Sequence, residues 1–376
     1  MSAPGVVEVV AGGDVIVNRS EPETVFERCR DTLRSADIAF ANSETTYSIR
    51  GTKAANIVGM MRADPRNLSA LSYAGFDVMS FANNHHLDAG LEAFFDTLDG
   101  LRNHGILTCG AGADIAEARR PAIIDRNGAK VAFLGYSSIL WPGYAAGPSS
   151  PGCAPLHVST RYEQVELEQP GSAPRIRTEP SPEDLDALCA DVRAAREVSD
   201  VVAVSVHWGV HFSPVVVAEY ESVVAKAAID AGADIILGHH QHILKPIQVY
   251  RGKVIFHGLG HLAMDVDLSE HDGSPLLAQM QHQYGNTGVR YRPDYPTYPY
   301  PPEARQTVLA RFRIRDRRID EVCFVPCYIN PAGQPEVLAA SDPRFAQVMS
   351  YIKSISGEAG FDTAFQPGLT EVHIQT

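Results

Sequence analysis

The chain has 376 residues, 45% hydrophobic and 20% charged, the balance of an ordinary globular protein with room for a large core. Its net charge of -13 excludes nucleic acid as the main partner, since phosphate binding needs a basic surface, but suits a bound cation. No apolar run approaches the roughly 18 residues of a membrane helix, and "MSAPGVVEVVAGGD" lacks the basic start and apolar stretch of a secretory leader, so a cytoplasmic protein with no membrane partner is expected.

"VVEVVAGGD" reads as a strand ending in glycines and Asp14, and "ETVFERCRDTLRSA" as an amphipathic helix. "DIAFANSET" is a strand ending in polar residues; "RNLSALSYAG" is a helix stopped by Gly75. "FDVMSFANNHH" is the next strand, followed by a helix over 90–104 and the short strand "ILTCGAG". "PAIIDRNGAKVAFLGYSS" is a hairpin around an Asn127-Gly128 turn. Residues 142–180 are rich in Pro, Gly and Ser and read as a long excursion or lid. Ser181-Pro182 caps a helix, with Asp184 three residues after the cap.

"VVAVSVHWG" is a strand, "VVVAEYESVVAKAAIDAG" a helix, and "DIILGHHQH" a strand running into a polar loop. "ILKPIQVYRGKVIFHGLG" is a second hairpin. Residues 266–306 form a second irregular stretch, dense in tyrosine and proline. Two strands and a helix near 341–354 close the chain. Alternating strands and helices imply α/β layering, and the hairpins imply a mixed sheet or two sheets. Cys29, Cys109, Cys153, Cys189, Cys323 and Cys327 form no CxxC pair and read as reduced thiols. Cys323 and Cys327 fall on one strand face and read as core packing.

Polar residues collect where apolar strands end: Asp14; Asn42 and Glu44; Asn84, His85, His86 and Asp88; His207; and His239, His240 and His242. Taken singly, an aspartate there caps a turn, an asparagine holds a loop, and a histidine fills a core. Together they bring imidazole, carboxylate and amide oxygen to five strand ends, which is where layered α/β folds build sites and what a divalent metal needs.

The order GD, N-x-E, N-N-H-x-x-D, H-W-G, G-H-H-x-H and G-L-G resembles the CapA family, named for poly-γ-glutamate capsule synthesis and similar in fold to the calcineurin-like metallophosphoesterases. The resemblance covers roughly residues 6–265 and the closing strands. It implies a single domain over 1–376, with irregular insertions at about 142–180 and 266–306. The implied fold is a four-layer α/β/β/α sandwich with metal ligands on loops at one edge. It implies Asp14, Glu44, Asn84, His207, His240 and His242 as metal ligands and His85 as an acid or electrostatic helper.

There are departures. The usual Asp-x-His is Asp14-Val15-Ile16, which removes one imidazole from a metal position. Glu44 replaces a more usual aspartate, and Leu259-Gly260-His261 replaces "LGN". His86 and His211 add further imidazoles.

Two chemistries follow. In a hydrolase of the CapA type, metal would polarise a phosphoryl or amide group and activate water, with His85 protonating the leaving group. The altered site also resembles soluble lasso-peptide epimerases of ribosomal-peptide biosynthesis, which invert the C-terminal residue of a precursor peptide. That reaction needs a base on one face of a Cα and an acid on the other. His85, His86, His242 and His261 are acid/base candidates, with Asp14, Asp88 and Asp265 to orient them. Spacing leaves the pairing open. Calcium, held by carboxylates and waters, is the expected ion, with manganese or zinc as alternatives. The epimerase is the favoured expectation, its peptide held in a groove formed by the Tyr/Pro-rich stretch 284–302. A binding protein with a degenerate site is the third reading.

Overall fold

The computed structural model describes residues 5–55, 57, 59–269, 278 and 288–376. Alternation along the strands decides its layers. In Val6–Ile16, Val7, Val9 and Ala11 point into one apolar cluster while Val10 points into another. In Val201–His207, Val201 and Ala203 join the first cluster, and Val202, Val204 and Val206 a third. Both strands therefore bury both faces.

The first sheet runs in the order Phe365–Pro367, Val372–Ile374, Arg318–Ile329, Gln306–Arg315, Val6–Ile16, Ile38–Ser43, Val78–Ser80, Leu107–Cys109. The short strand His261–Met264 adds to Val6–Ile16 in parallel. The second sheet runs Ile247–Tyr250, Lys253–Phe256, Ile235–His239, Val201–His207, Ala129–Ser137, Ala122–Arg126.

The sheets face one another across a shared core, where Phe40 stacks on Phe133 at 5.1 Å. Helix Leu68–Ala74 and the turns around Phe26 and Leu33 cover the outer face of the first sheet. Helices Pro182–Val198 and Glu219–Ala231 cover that of the second. The result is an α/β/β/α sandwich of two mixed sheets.

Both expected hairpins are present, with Asn127 and Gly128, then Arg251 and Gly252, at positive φ as two-residue primed turns require. The Ser181 hydroxyl accepts from Asp184 N at 3.4 Å and starts the expected helix. All six cysteines are buried and unpaired.

Three segments differ from expectation. The amphipathic stretch after residue 22 breaks into a 3-10 turn, Pro22–Phe26, and a short helix, Arg30–Ser35. Thr24 Oγ1 donates to Glu21 O and Cys29 Sγ to Phe26 O, local bonds that compete with the α ladder.

Within 142–180 an exposed hairpin pairs Val158–Glu163 with Arg175–Pro180. Its mixed polar sequence carries no apolar alternation to announce it. Before it, Tyr144, Cys153, Ala154 and Leu156 are buried and tie the segment to the core, while Pro142, Gly143 and residues 148–150 are exposed.

Of 266–306, residues 270–277 and 279–287 lie outside the described residues. The described end buries Tyr295, Tyr298, Tyr300 and Ala304 against Ile16, Ile243 and Met264. Those tyrosines form a wall, and residues 284–287 of the expected groove lie outside the described residues.

Candidate metal centre

Parallel strands put their C-terminal ends on one edge, and that edge carries the centre. Register pairs Asp14 with Asn42 and with His261, and His207 with His239. Asp14 lies where the register of Val6–Ile16 shifts, a bulge that turns its side chain inward. Gly13 permits the close approach behind it: a Cβ there would lie 2.0 Å from Gly260 O, and Asp14 N donates to that same oxygen at 3.0 Å. The loop after Ile235–His239 carries His240 at φ 94° and His242 at φ 61°, conformations costing about 1–3 kcal/mol each for non-glycine residues. His240 N donates to Asp14 Oδ2 at 3.1 Å, which ties this loop to the first sheet.

Two groups of side chains converge. Glu44, His207 and His240 form one, Asp14, Glu44 and His242 the other, and in each the offered atoms lie within 4.8 Å of one another. Glu44 belongs to both. His207 Nε2 is 3.4 Å from Glu44 Oε1 and 2.7 Å from Asn84 Oδ1. His242 Nδ1 is 3.7 Å from Asp14 Oδ2 and 3.9 Å from Glu44 Oε2. His239 Nδ1 lies 3.4 Å from Asp14 Oδ1, and Asn42 Nδ2 donates to that oxygen at 2.8 Å.

Whether these residues fit a cation is answered by their unmet bonding. Both Glu44 oxygens and His240 Nδ1 are buried with no hydrogen-bond partner. Burial pushes the Glu44 carboxyl well above its usual range, and the Asp14 and Asp88 charges push it further. Burial works to raise Asp14 as well, but the close approach of the His239 ring, its Nδ1 3.4 Å from Oδ1, outweighs it and holds the carboxyl low. Burial drives His207, His240 and His242 well below the ordinary imidazole value, so they are neutral and keep a lone pair. Neutral imidazoles around two acidic groups, one with both oxygens unpartnered, fit a divalent cation that offsets the buried charge. The two groups bring together five of the residues expected as ligands, Asp14, Glu44, His207, His240 and His242, and Asn84 lies against His207.

The acid/base candidates divide. His85 Nδ1 is 2.7 Å from Asp88 Oδ2, and its side chain is 19% exposed, open to a substrate. His261 is fully buried, and its Nε2 lies 2.7 Å from His242 Nδ1. His86 is turned away from the centre, between the carbonyls of Asn83 (2.5 Å) and Tyr144 (3.1 Å), and packs on Phe94. Among the described residues Asp265 orients no histidine; it forms an ion pair with Arg19 at 2.5 Å and accepts from Asn18 N.

Residues not assigned a role from sequence complete the walls. Asn83 Nδ2 donates to Ser43 O at 2.7 Å and supports the Glu44 loop. The His211 ring lies 4.0 Å from that of His240, and the Tyr300 ring 4.3 Å from that of His261. The sequence signal for His211 was its place four residues after His207; Tyr300 had only its tyrosine-rich surroundings.

Among the described residues no helix is long and apolar enough to cross a membrane. PGA biosynthesis protein CapA of Bacillus subtilis is 28% identical over 272 residues, covering 70% of this chain and 63% of that protein. A probable polyglutamine synthesis accessory protein of Mycobacterium tuberculosis is 32% identical over 234 residues, covering 62% of this chain and 57% of that protein. The chain thus spans less than two thirds of the length of either relative. A solved calcineurin-like phosphoesterase, YfkN from Bacillus subtilis, aligns over 94% of this chain and 97% of its own at 15% identity, with a TM-score of 0.39. The model of the family described as bacterial capsule synthesis protein PGA_cap matches residues 8–266, a span that holds Asp14, Glu44, Asn84 and the histidines through His242, and to that family this chain belongs.

Proposed function

We propose that this protein is a metal-dependent hydrolase acting on a phosphoester or amide bond. The observation that carries the reading is Glu44, buried with both oxygens unpartnered and shared by two ligand groups. A divalent ion bound there would supply Lewis acidity and a water of lowered pKa. Glu44, His207, His240 and Asn84 would hold it, with Asp14 and His242 beside them. Two imidazoles among the donors favour zinc or manganese over calcium, which prefers oxygen.

His85, oriented by Asp88 and open to substrate, would deliver a proton to the leaving group. The relatives' names place them in PGA biosynthesis and in polyglutamine synthesis, so a γ-linked glutamate amide is a substrate to try first. The net charge of -13 repels such a polyanion at long range, so any binding must rest on local cations.

The test is metal analysis of the purified protein, then chelation and reconstitution with zinc, manganese or calcium. Aryl phosphate mono- and diesters and poly-γ-glutamate oligomers would be the substrates. Absence of bound metal, or full turnover after chelation, overturns the proposal.

Peptide epimerisation is the second reading, and one observation favours it: imidazoles held by partners at both ends of the cluster. His85 with Asp88 lies at the His207 end, His261 with His242 at the other. An acid and a base on two sides of a Cα is what that reaction requires. Incubation in D₂O with candidate precursor peptides distinguishes the two. Epimerisation gains one deuteron at unchanged chain length, whereas hydrolysis releases phosphate or a shorter chain.

A further inference from the structure

Beyond the family match, Tyr298 reaches back to the centre. Its hydroxyl is 2.5 Å from Ala304 O and 2.7 Å from His261 Nδ1, and His261 Nε2 is 2.7 Å from His242 Nδ1. Tyr298 and His261 are fully buried, so no solvent competes for these bonds.

Directionality follows from what each atom can do. A carbonyl oxygen only accepts, so the Tyr298 proton points to Ala304. The tyrosine oxygen then accepts from His261 Nδ1–H. Both rings are buried, where an imidazolium without a paired carboxylate is costly, so each is neutral and carries one proton. With His261 protonated at Nδ1, its Nε2 accepts, and the proton between the rings belongs to His242 Nδ1. The reverse order would leave two oxygens 2.5 Å apart with no hydrogen between them.

We propose that Tyr298 and His261 are positioning residues that lock His242 in its Nδ1–H tautomer, which leaves Nε2 as a lone pair for acid–base work and withholds Nδ1 from metal. Nδ1 is the nitrogen that faces Asp14 and Glu44. The Asp14–Glu44–His242 group is therefore incomplete as a ligand set, and the centre takes one ion, at Glu44, His207 and His240. The missing imidazole at Ile16 points the same way, since Ile16 packs with Tyr298 in one apolar cluster. The count of one ion rests on the metal-centre reading; the tautomer lock does not.

The test uses the full-length metal-free protein labelled with ¹⁵N-histidine. Long-range ¹H–¹⁵N spectra near neutral pH read each tautomer, assigned with His242→Gln and His261→Gln. His242 and His261 are each expected as a single Nδ1–H form. Tyr298→Phe removes the anchor and should return His242 to a mixture of tautomers. Zinc titration by calorimetry should give one equivalent in the wild type and a second, weaker one in Tyr298→Phe. A wild-type His242 protonated at Nε2, a tautomer unmoved by Tyr298→Phe, or two tight equivalents in the wild type overturns the proposal. If Tyr298→Phe fails to fold, the wild-type tautomer and stoichiometry decide. If no zinc binds at all, the metal-centre reading falls, while the spectra still decide the lock.

Discussion

Glu44→Gln isolates the charge at the heart of the centre. The substitution keeps the volume and removes the one carboxylate that both ligand groups share. Glu44 is fully buried with neither oxygen partnered, an arrangement costing on the order of 1–3 kcal/mol in the metal-free protein. The glutamine amide meets the same unpartnered surroundings without the charge, so the metal-free variant should melt within about 2 °C of the metal-free wild type.

With metal the two proteins part. At free ion a hundredfold above Kd, binding stabilises the wild type by about 2.7 kcal/mol. An unfolding entropy of about 2.1 cal/mol/K per residue over 376 residues is on the order of 0.8 kcal/mol per kelvin, so zinc should raise Tm by about 3–4 °C. The variant should shift by less than about 1 °C. Differential scanning fluorimetry with chelator and with zinc measures all four states. A zinc shift in Glu44→Gln as large as in the wild type would refute the assignment of Glu44 as the shared ligand.

Other consequences are as direct. Burial lowers His86, His211 and His261 to about 4, 4 and 3, so below pH 6.5 the unfolded chain takes up protons that the folded chain does not. Their stabilisation is complete above that pH and is lost as pH falls toward 4; three such groups give a loss on the order of 4 kcal/mol per pH unit near pH 5, and a flat urea midpoint from pH 7 to 5 would contradict it. Gly13→Ala forces a Cβ against Gly260 O and should cost at least about 2 kcal/mol in denaturant titration, with weaker zinc uptake because Asp14 is displaced. His85→Ala should cut turnover about 10²–10⁴-fold while leaving stability within about 1 kcal/mol, since the ring is part-exposed and, among the described residues, bonds only Asp88, while the bond from His85 N to Asn83 Oδ1 survives the substitution. Asp88→Ala should do both harms, because Asp88 also accepts from Met61 N and Tyr144 OH; equal melting temperatures for the two variants would refute that distinction.

The convergence of these side chains was legible because parallel α/β layering sends successive strand ends to one edge, and polar residues there have few structural reasons to accumulate. The two primed turns were legible for a local reason, the positive φ they demand. What decided the remaining roles was not local. His85 and His86 are indistinguishable in "NNHH", yet one faces Asp88 three residues on, and the other is held by a carbonyl 58 residues away. Asp265 looked free to orient a histidine because its partner, Arg19, lies 246 positions earlier. Tyr298 meets His261 across 37 residues, part of which carries no regular pattern to announce the contact.

Ile16 ties these threads together. The usual motif would place a histidine there; this chain places an apolar side chain, 3% exposed, in a cluster with Ile243, Met264 and the tyrosine wall. The residue that removes one ligand thus also packs with Tyr298, which anchors His261 and through it His242. Ile16→His should reverse both effects. Losing the buried isoleucine costs about 1.5–3 kcal/mol, and burying an imidazole without a set partner adds about 1–3 kcal/mol. In the metal-free protein that amounts to roughly 3–7 °C in Tm at about 0.8 kcal/mol per kelvin. Zinc should recover more of the deficit in this variant than it adds to the wild type, because the new imidazole sits on the strand that carries Asp14. If the metal-free variant melts like the wild type, or if zinc recovers nothing beyond the wild-type shift, position 16 is neither core nor adjacent to the centre, and the link between the lost ligand and the tyrosine wall is broken.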